Sequence, residues 1–405
     1  MLLYLVCFLD RANVGFAALS MNQALGLTPA MFGFGGGVFF VGYIAFQVPS
    51  NMMMLRVGAR GWIARVVVAW GIVSMASAFV VGPWSFYAMR LLLGVAEAGF
   101  FPGTLLYLNL WFPVRQRAVA IAAFMAAAPL SSAIGSPISG ALMEMPRIAG
   151  LANWQWLYIL EGFPAILLGL LTLRALTDTP EQAAWLSADE GTWLQNTLAA
   201  ERADNQSHAS TFAAVLAVLR DPRVLALAVV YSGTSAGLYA IGFWAPLLIK
   251  QFGYSALTVG WLNALPGVVA VVGMLAWARH SDRTLERIWH VTLPCVLGCA
   301  GLIWAGYAQA VPAVILALAI ASFGVNGSKP PLWAMPAMFL SGAGAAAGIA
   351  LINSLGNLGG FAGPMLIGWL KQRMGSYAAG LDAVGAMMAL SAVLMLAMKR
   401  RITDR

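Results

Sequence analysis

The stretch LLYLVCFLDRANVGFAA (residues 2–18) is apolar enough to cross a bilayer, yet Asp10 and Arg11 stand side by side at its centre. A second stretch of the same kind, YAMRLLLGVAEAGFFPGTLLYLNL (residues 87–110), carries Arg90 and Glu97. An ionisable side chain at that depth costs several kcal/mol, so a chain keeps one where it meets a partner, a substrate or an ion path. Only 9 % of the 405 residues are charged, against 61 % apolar. Four of those few charges in two membrane segments therefore point to a translocation site.

Working outward, runs of about 20 apolar residues suffice to span a membrane, and about twelve can be read. They fall near residues 1–25, 32–55, 64–83, 85–110, 118–143, 156–177, 224–248, 257–279, 289–309, 312–340, 346–370 and 379–398. The runs are continuous rather than alternating, which predicts helices and excludes a β-barrel. The 43 glycines fit membrane helices that approach one another closely. The expected fold is an all-α membrane protein of two six-helix bundles, residues 1–177 and 224–405, joined by a cytoplasmic linker over 178–223.

A net charge of +8 suggests nucleic acid until its placement is examined. Arg56, Arg60, Arg115, Arg279, Arg283 and Lys399 all fall on one side of the predicted spans, whereas the other side holds only Arg147, Lys250, Lys371 and Arg373. That is positive-inside bias, which predicts cytoplasmic termini and a lipid bilayer, not nucleic acid, as partner. Nine residues precede Asp10 and none is basic, so a start upstream of Met1 is expected. No cleavable signal is expected, because Asp10 and Arg11 break the apolar run.

The linker is the longest polar stretch, with Pro180, Glu181, an amphipathic pattern over 185–194 and a flexible tract expected at 205–210. Cys7, Cys295 and Cys299 lie within spans without His or carboxylate companions, so no metal or other cofactor is expected. His208, His280 and His290 fall in loops or at helix ends, and no activated serine is evident, which argues against an enzyme.

The halves show faint internal similarity, a mark of transporters built from repeats. GSPISG (135–140) in the fifth span has a counterpart in GPMLIG (363–368) in the eleventh, and the basic turn at Arg56 and Arg60 one at Arg279 and Arg283.

On the first helix Asp10, Asn13 and Ala17 share a face, with Arg11 rotated by about 100°. Arg90 and Glu97 are seven apart and share a face of the fourth helix. Packing the two helices could set Asp10 near Arg90 and bring Arg11 towards Glu97 or the cavity. A carboxyl isolated in low dielectric holds its proton more tightly, and a nearby guanidinium opposes this, so Asp10 and Glu97 are the candidate proton-coupling acids. Arg11 and Arg90 offer a bidentate, permanently charged grip on a carboxylate.

Lys329 lies in GVNGSKPPLW (324–333), where Gly327, Pro330 and Pro331 should break the tenth span. It is read either as a second anion contact or as a lysine snorkelling to the surface. Tyr43 with Gln47, and Asn353 with Asn357, each lie one turn apart and either bind substrate hydroxyls or join helices. Tyr239 and Trp244 flank the cavity or, for Trp244, sit at the lipid interface. Glu161, after NWQW at the outer start of the sixth span, is read as a structural residue that caps that helix or binds an arginine of a neighbour.

These motifs carry a resemblance. LDRANVGFAALSMN (9–22), VGYIAFQVPSN (41–51), RLLLGVAEAGFFPG (90–103), WFPVRQRA (111–118), NWQWLYILEGFPA (153–165), GFWAPLLIK (242–250), SDR (281–283) and IALINSLGNLGGFAGP (349–364) resemble the anion:cation symporter family of the major facilitator superfamily. The resemblance covers nearly the whole chain. It implies the major facilitator fold with twelve transmembrane helices, and proton-driven import of an organic carboxylate of the tartrate, phthalate or hydroxyphenylacetate type. It also implies that Asp10 and Glu97 match proton-coupling acids, and that Arg11, Arg90, Tyr43 and Asn353 or Asn357 match substrate positions. The loop after the second span lacks the expected acid, with Met54 near that position, whereas Asp282 and Arg283 keep the gating-loop pattern in the second half.

The expectation is thus a symporter for a small organic carboxylate and a proton, working as a monomer by alternating access. The rival is a proton-coupled antiporter that exports a drug or metabolite. Counting Arg11, Arg90 and Lys329 against Asp10 and Glu97 predicts a cavity with one surplus positive charge.

Overall fold

The computed structural model describes residues 1–183, 185–206, 218, 220–340 and 342–399. His208 and most of the 205–210 tract lie outside them. Ten helices among the described residues are long and apolar enough to cross a membrane. Two further crossings are each built from two helices, Val114–Met125 with Ala127–Leu142 and Gly342–Gly356 with Leu358–Met374. The interruption at Asn357 has a local cause: its amide nitrogen donates to the Asn353 carbonyl at 2.8 Å, competing with the helix ladder. The break expected in the tenth span is present, with Val311–Gly327 ending before the short helix Lys329–Ala334.

Several spans start by the same device. Thr28 accepts from Met31 N at 3.3 Å, Ser255 from Thr258 N at 3.2 Å and Asp221 from Arg223 N at 2.8 Å. Pro29 and Pro222 then open the helical turn, where a missing N–H costs nothing. In the linker, Ser187 and Glu190 form a reciprocal capping box that opens the helix Ala188–Gln206, longer than the 185–194 tract expected.

In the first half, span 1 packs on spans 5 and 6, span 3 on span 6, and span 2 on span 4. In the second half, span 7 packs on spans 11 and 12, and span 10 on spans 8 and 9. The halves meet where span 5 touches span 8, span 2 touches span 11 and span 1 touches span 7. Both glycine motifs lie on these seams. A Cβ on Gly140 would come 2.7 Å from the Ala256 carbonyl oxygen, and one on Gly368 would come 2.3 Å from that of Pro29. Backbones therefore touch across the seam on the side away from the termini.

Two side chains latch the same end. Glu144, after span 5, accepts from Leu257 N at the start of span 8 (3.2 Å). Gln372, at the end of span 11, accepts from Ala30 N at the start of span 2 (3.2 Å). Each half thus caps an otherwise open helix start of the other. Replacing Gly260, whose Cβ would meet the Ser136 carbonyl oxygen at 2.4 Å, should prise this end open. Overpacking of about 1–3 kcal/mol is expected for Gly260→Val. Spin labels at Arg147 and Tyr254 should then report longer distances than in the wild type.

At the opposite end, Asp178 after span 6 lies against Gly58 and accepts from Arg60 N at 2.8 Å. The acid missing from the loop after span 2 is thereby supplied by the following linker, at the N-terminus of span 3.

Candidate functional site

A cavity of 310 Å³ runs between the halves, from Arg11 and Tyr239 near mid-membrane to Asp282 and Arg287 at the termini side. Beyond Arg11, Gly15 abuts Gly242 and Phe243 backbone to backbone, so the space closes towards the far side. Both halves build the wall: the first supplies Arg11 and Tyr43, the second Tyr239, Lys329, Asn353 and Asn357.

Arg11 is the fixed point. Its Nε donates to Glu97 Oε2 at 2.6 Å, and an amino nitrogen donates to the Tyr239 hydroxyl at 2.9 Å across the seam. The guanidinium carbon lies 5.1 Å from the centres of the Phe39 and Tyr43 rings and 5.4 Å from that of Phe8. Cation–π contact from three rings and one ion pair hold it at the cavity wall while part of it faces the space. Glu97 is fully buried behind it, with Cys7 Sγ 3.5 Å away and Oε1 unpartnered among the described residues.

Lys329 faces the same cavity from the other half and does not snorkel out. Its ammonium has no ion-pair or hydrogen-bond partner among the described residues. Asn353 and Asn357 line the wall beside it, their amides 3.3 Å apart. Arg11 is balanced by Glu97 and Arg287 by Asp282 at 2.7 Å, which leaves Lys329 as surplus. Counted as ionised, the described wall residues and Glu97 leave one positive charge over, through other members than those counted from the sequence.

Four expected placements need correction. Asp10 does not approach Arg90. It is fully buried on the far side of span 1, where Trp70 Nε1 donates to Oδ2 at 3.1 Å and Ser74 Oγ to Oδ1 at 2.9 Å. Arg90 lies outside the cavity, with its guanidinium carbon 5.2 Å and 5.6 Å from the Phe39 and Phe243 rings and all three nitrogens unpartnered among the described residues. Gln47 is buried within the first half and does not reach the wall. In the gating-loop pattern, Arg283 is exposed and forms no ion pair among the described residues, while Asp282 pairs with Arg287 at 2.7 Å.

Trp244 faces neither cavity nor lipid. It is buried against Phe32 and Tyr377 in the closed end. Trp70 and Ser74, unread in the sequence, sit one turn apart on span 3, and that spacing was the available signal. Tyr231, Asn326 and Trp333 also line the cavity unforeseen. Near the mouth, His280 Nδ1 and His290 Nε2 lie 2.7 Å apart, and Glu286 accepts from His290 Nδ1 at 2.7 Å. Partial burial, the largest single influence, would raise the Glu286 pKa, but hydrogen bonds from the Trp289 amide, the His290 ring and the His290 amide together lower it.

Comparison with known proteins places this geometry. A protein of Agrobacterium vitis named "Putative tartrate transporter" is 58 % identical over 400 residues, covering 99 % of this chain and 88 % of its own. A quinolone resistance transporter of Acinetobacter baumannii is 42 % identical, covering 97 % of this chain and 90 % of its own. A solved bacterial homologue of the human lysosomal transporter Spinster, inward-facing and unoccupied, shares the fold at TM-score 0.80 and 16 % identity, over 100 % of this chain and 96 % of that one. The Major Facilitator Superfamily model matches residues 1–364. With a charged cavity between two bundles of membrane-spanning helices, and no enzyme among these relatives, the chain belongs to the major facilitator superfamily of membrane transporters.

Proposed function

We propose that the protein imports a small hydroxy-dicarboxylate, tartrate being the best fit, together with protons. In this reading residues 1–177 and 224–405 are the two rocking bundles, 178–223 is the linker, both termini are cytoplasmic, and the membrane is the bacterial inner membrane. The cavity then opens inward. One observation carries the reading: Arg11 and Lys329, the latter without an ion-pair partner among the described residues, face a single cavity from opposite halves. Two cations facing each other across one space suit a ligand with a carboxylate at each end, and Asn353, Asn357 and Tyr239 suit its hydroxyls. The 58 % identity to a protein named for tartrate supports the same substrate.

Coupling follows from the ion pair. Glu97 holds Arg11 at 2.6 Å while ionised. A proton on Glu97 removes that claim and frees the guanidinium for a substrate carboxylate. A dianion on Arg11 and Lys329, with one proton on Glu97, leaves no net charge on these groups, so the loaded carrier can reorient. Deprotonation returns Arg11 to Glu97 and expels the anion.

The sign of the pH effect follows: tartrate binding should strengthen as pH falls, for as long as tartrate itself stays ionised. Glu97→Gln mimics the protonated state. It should bind tartrate with little pH dependence, keep counterflow and lose gradient-driven uptake. Thermal stabilisation of purified protein by a panel of organic acids across pH tests both substrate and sign. No preference for dicarboxylates, or binding by Glu97→Gln as pH-sensitive as the wild type's, would refute this reading.

A second reading is export of an aromatic drug by proton antiport. Its support is the aromatic part of the wall, Tyr4, Phe8, Phe101, Tyr231 and Trp333, and the 42 % relative named for quinolone resistance. It predicts stabilisation by a quinolone rather than by tartrate.

A further inference from the structure

Glu161 is a buried carboxyl that the transport scheme above does not use. It lies well inside the sixth span and does not cap it; that cap is Gln155, whose side-chain oxygen accepts from Ala152 N at 2.8 Å. Glu161 is 3 % exposed. Its Oε1 accepts from Ser139 Oγ of span 5 at 2.6 Å, and its Oε2 has no partner among the described residues. No lysine or arginine lies within ion-pair distance among the described residues.

The groups facing it are few. From span 1, the Asn13 side chain lies against the carboxyl. The Asn13 nitrogen also points at Asp10 Oδ1, at 3.5 Å, while its oxygen has no partner among the described residues. Among the described residues Asp10 is the only other acid that acts on it, and it likewise has no cation at ion-pair distance. Span 6 adds the buried Tyr158, whose hydroxyl donates to Met21 Sδ of span 1 at 3.7 Å. Span 3 contributes Gly71 and Met75 at Gly162, neither of them charged.

A dry carboxylate without a cation is costly, and the usual resolution is to take up a proton. Here one proton on Glu161 would neutralise the carboxylate and turn Oε2, which has no partner among the described residues, into a donor. Ser139 lies close to the end of span 5 that the glycine seam closes. Parting that end would bring water to Ser139 and Glu161 first.

We propose that Glu161 is a further proton-carrying carboxyl of the transport cycle, bridged to Asp10 by Asn13 and loaded from the side sealed in this conformation. The step is a proton transfer alone. One proton moves from water to the Glu161 carboxylate when the seam opens, stays there as O–H when the seam closes, and leaves to water on the cavity side later in the cycle, which regenerates the carboxylate. The inference rests on the symport reading, but its first test needs no substrate.

The infrared spectrum of purified protein at neutral pH should contain a protonated-carboxyl C=O band that is lost in Glu161→Gln. Ser139→Ala, which keeps the acid and removes its 2.6 Å hydrogen bond, should move the same band to higher frequency. The Ser139 variant also decides the matter if Glu161→Gln fails to fold. Identical carboxyl bands in wild type and Glu161→Gln, or no movement in Ser139→Ala, would overturn the proposal.

In vesicles, Glu161→Gln should lower acid-driven accumulation of labelled L-tartrate by roughly 5- to 150-fold, the usual range of coupling between two bound ligands, while counterflow persists. Unchanged acid-driven accumulation would also overturn it. If wild-type protein moves no tartrate, the substrate reading fails, and the infrared result still decides Glu161.

Discussion

Arg11→Ala is expected to remove tartrate binding and to lower stability at the same time. The loss has two sources that can be separated. The variant takes away the cavity's anchoring cation, and it strands Glu97, which is fully buried and ion-paired to Arg11 at 2.6 Å. Breaking a buried pair by removing one partner costs about 3–5 kcal/mol, because a charge is left without compensation. The double variant Arg11→Ala with Glu97→Gln removes the stranded acid and should recover most of the thermal stability. It should not recover binding, since no guanidinium remains for the substrate. Arg11→Lys is the sharper comparison. A lysine keeps the charge but lacks the planar fork that reaches Glu97 and Tyr239 together, so binding should stay weakened by about tenfold or more. Isothermal titration and thermal unfolding of the variants read the two effects apart. Binding restored in the double variant would remove Arg11 from the site.

Lys329→Ala carries the next largest effect, and it should be selective. Lys329 is the one cation on the cavity wall that no acid balances among the described residues. Removing a charge-assisted hydrogen bond costs about 1.5–3 kcal/mol, which is about 10- to 100-fold in affinity for a dicarboxylate. A monocarboxylate that binds only Arg11 should lose little. Stability should not fall, since no partner is stranded. Equal loss for mono- and dicarboxylates would mean that Lys329 tunes the cavity's field rather than gripping the second carboxylate.

How far the site was legible in the sequence differs from residue to residue, for physical reasons. Arg11 could be directed towards Glu97 or the cavity from sequence because a charge buried in apolar helices has few partners available. The break before Lys329 was legible because Gly327, Pro330 and Pro331 interrupt any helix, but its direction into the cavity was not. Asp10 and Arg90 were misplaced because helical spacing shows which residues share a face, not which neighbour that face meets. The donors Trp70 and Ser74 turn Asp10 towards span 3, and Phe39 and Phe243 enclose Arg90. Glu161 was read as lying at the start of the sixth span, whereas the helix begins at Asn153 and carries Glu161 about two turns inside it. The interruptions at Ala126 and Asn357 have no proline at the break, so no backbone rule exposed them.

The fold was more open to reading than the site. Span number and bundle order follow from apolar length, which the bilayer dictates. The seams follow from glycine spacing, since backbones touch only where side chains are absent. The helix starts at Thr28 and Ser255 follow from capping chemistry that is local by nature. What stayed hidden is long-range: the Glu144 and Gln372 latches and the Asp178 cap each join residues more than a hundred positions apart.

The central claim is that one proton and one dicarboxylate share the Arg11 cavity and move in the same direction. Uptake of labelled L-tartrate into vesicles that hold the purified protein tests it most directly, with the pH gradient imposed in each sense. Accumulation above equilibrium only when the compartment supplying tartrate is acidic, abolished in Glu97→Gln with counterflow intact, is the predicted result. Accumulation driven by the opposite gradient, or flux indifferent to any gradient, would contradict it.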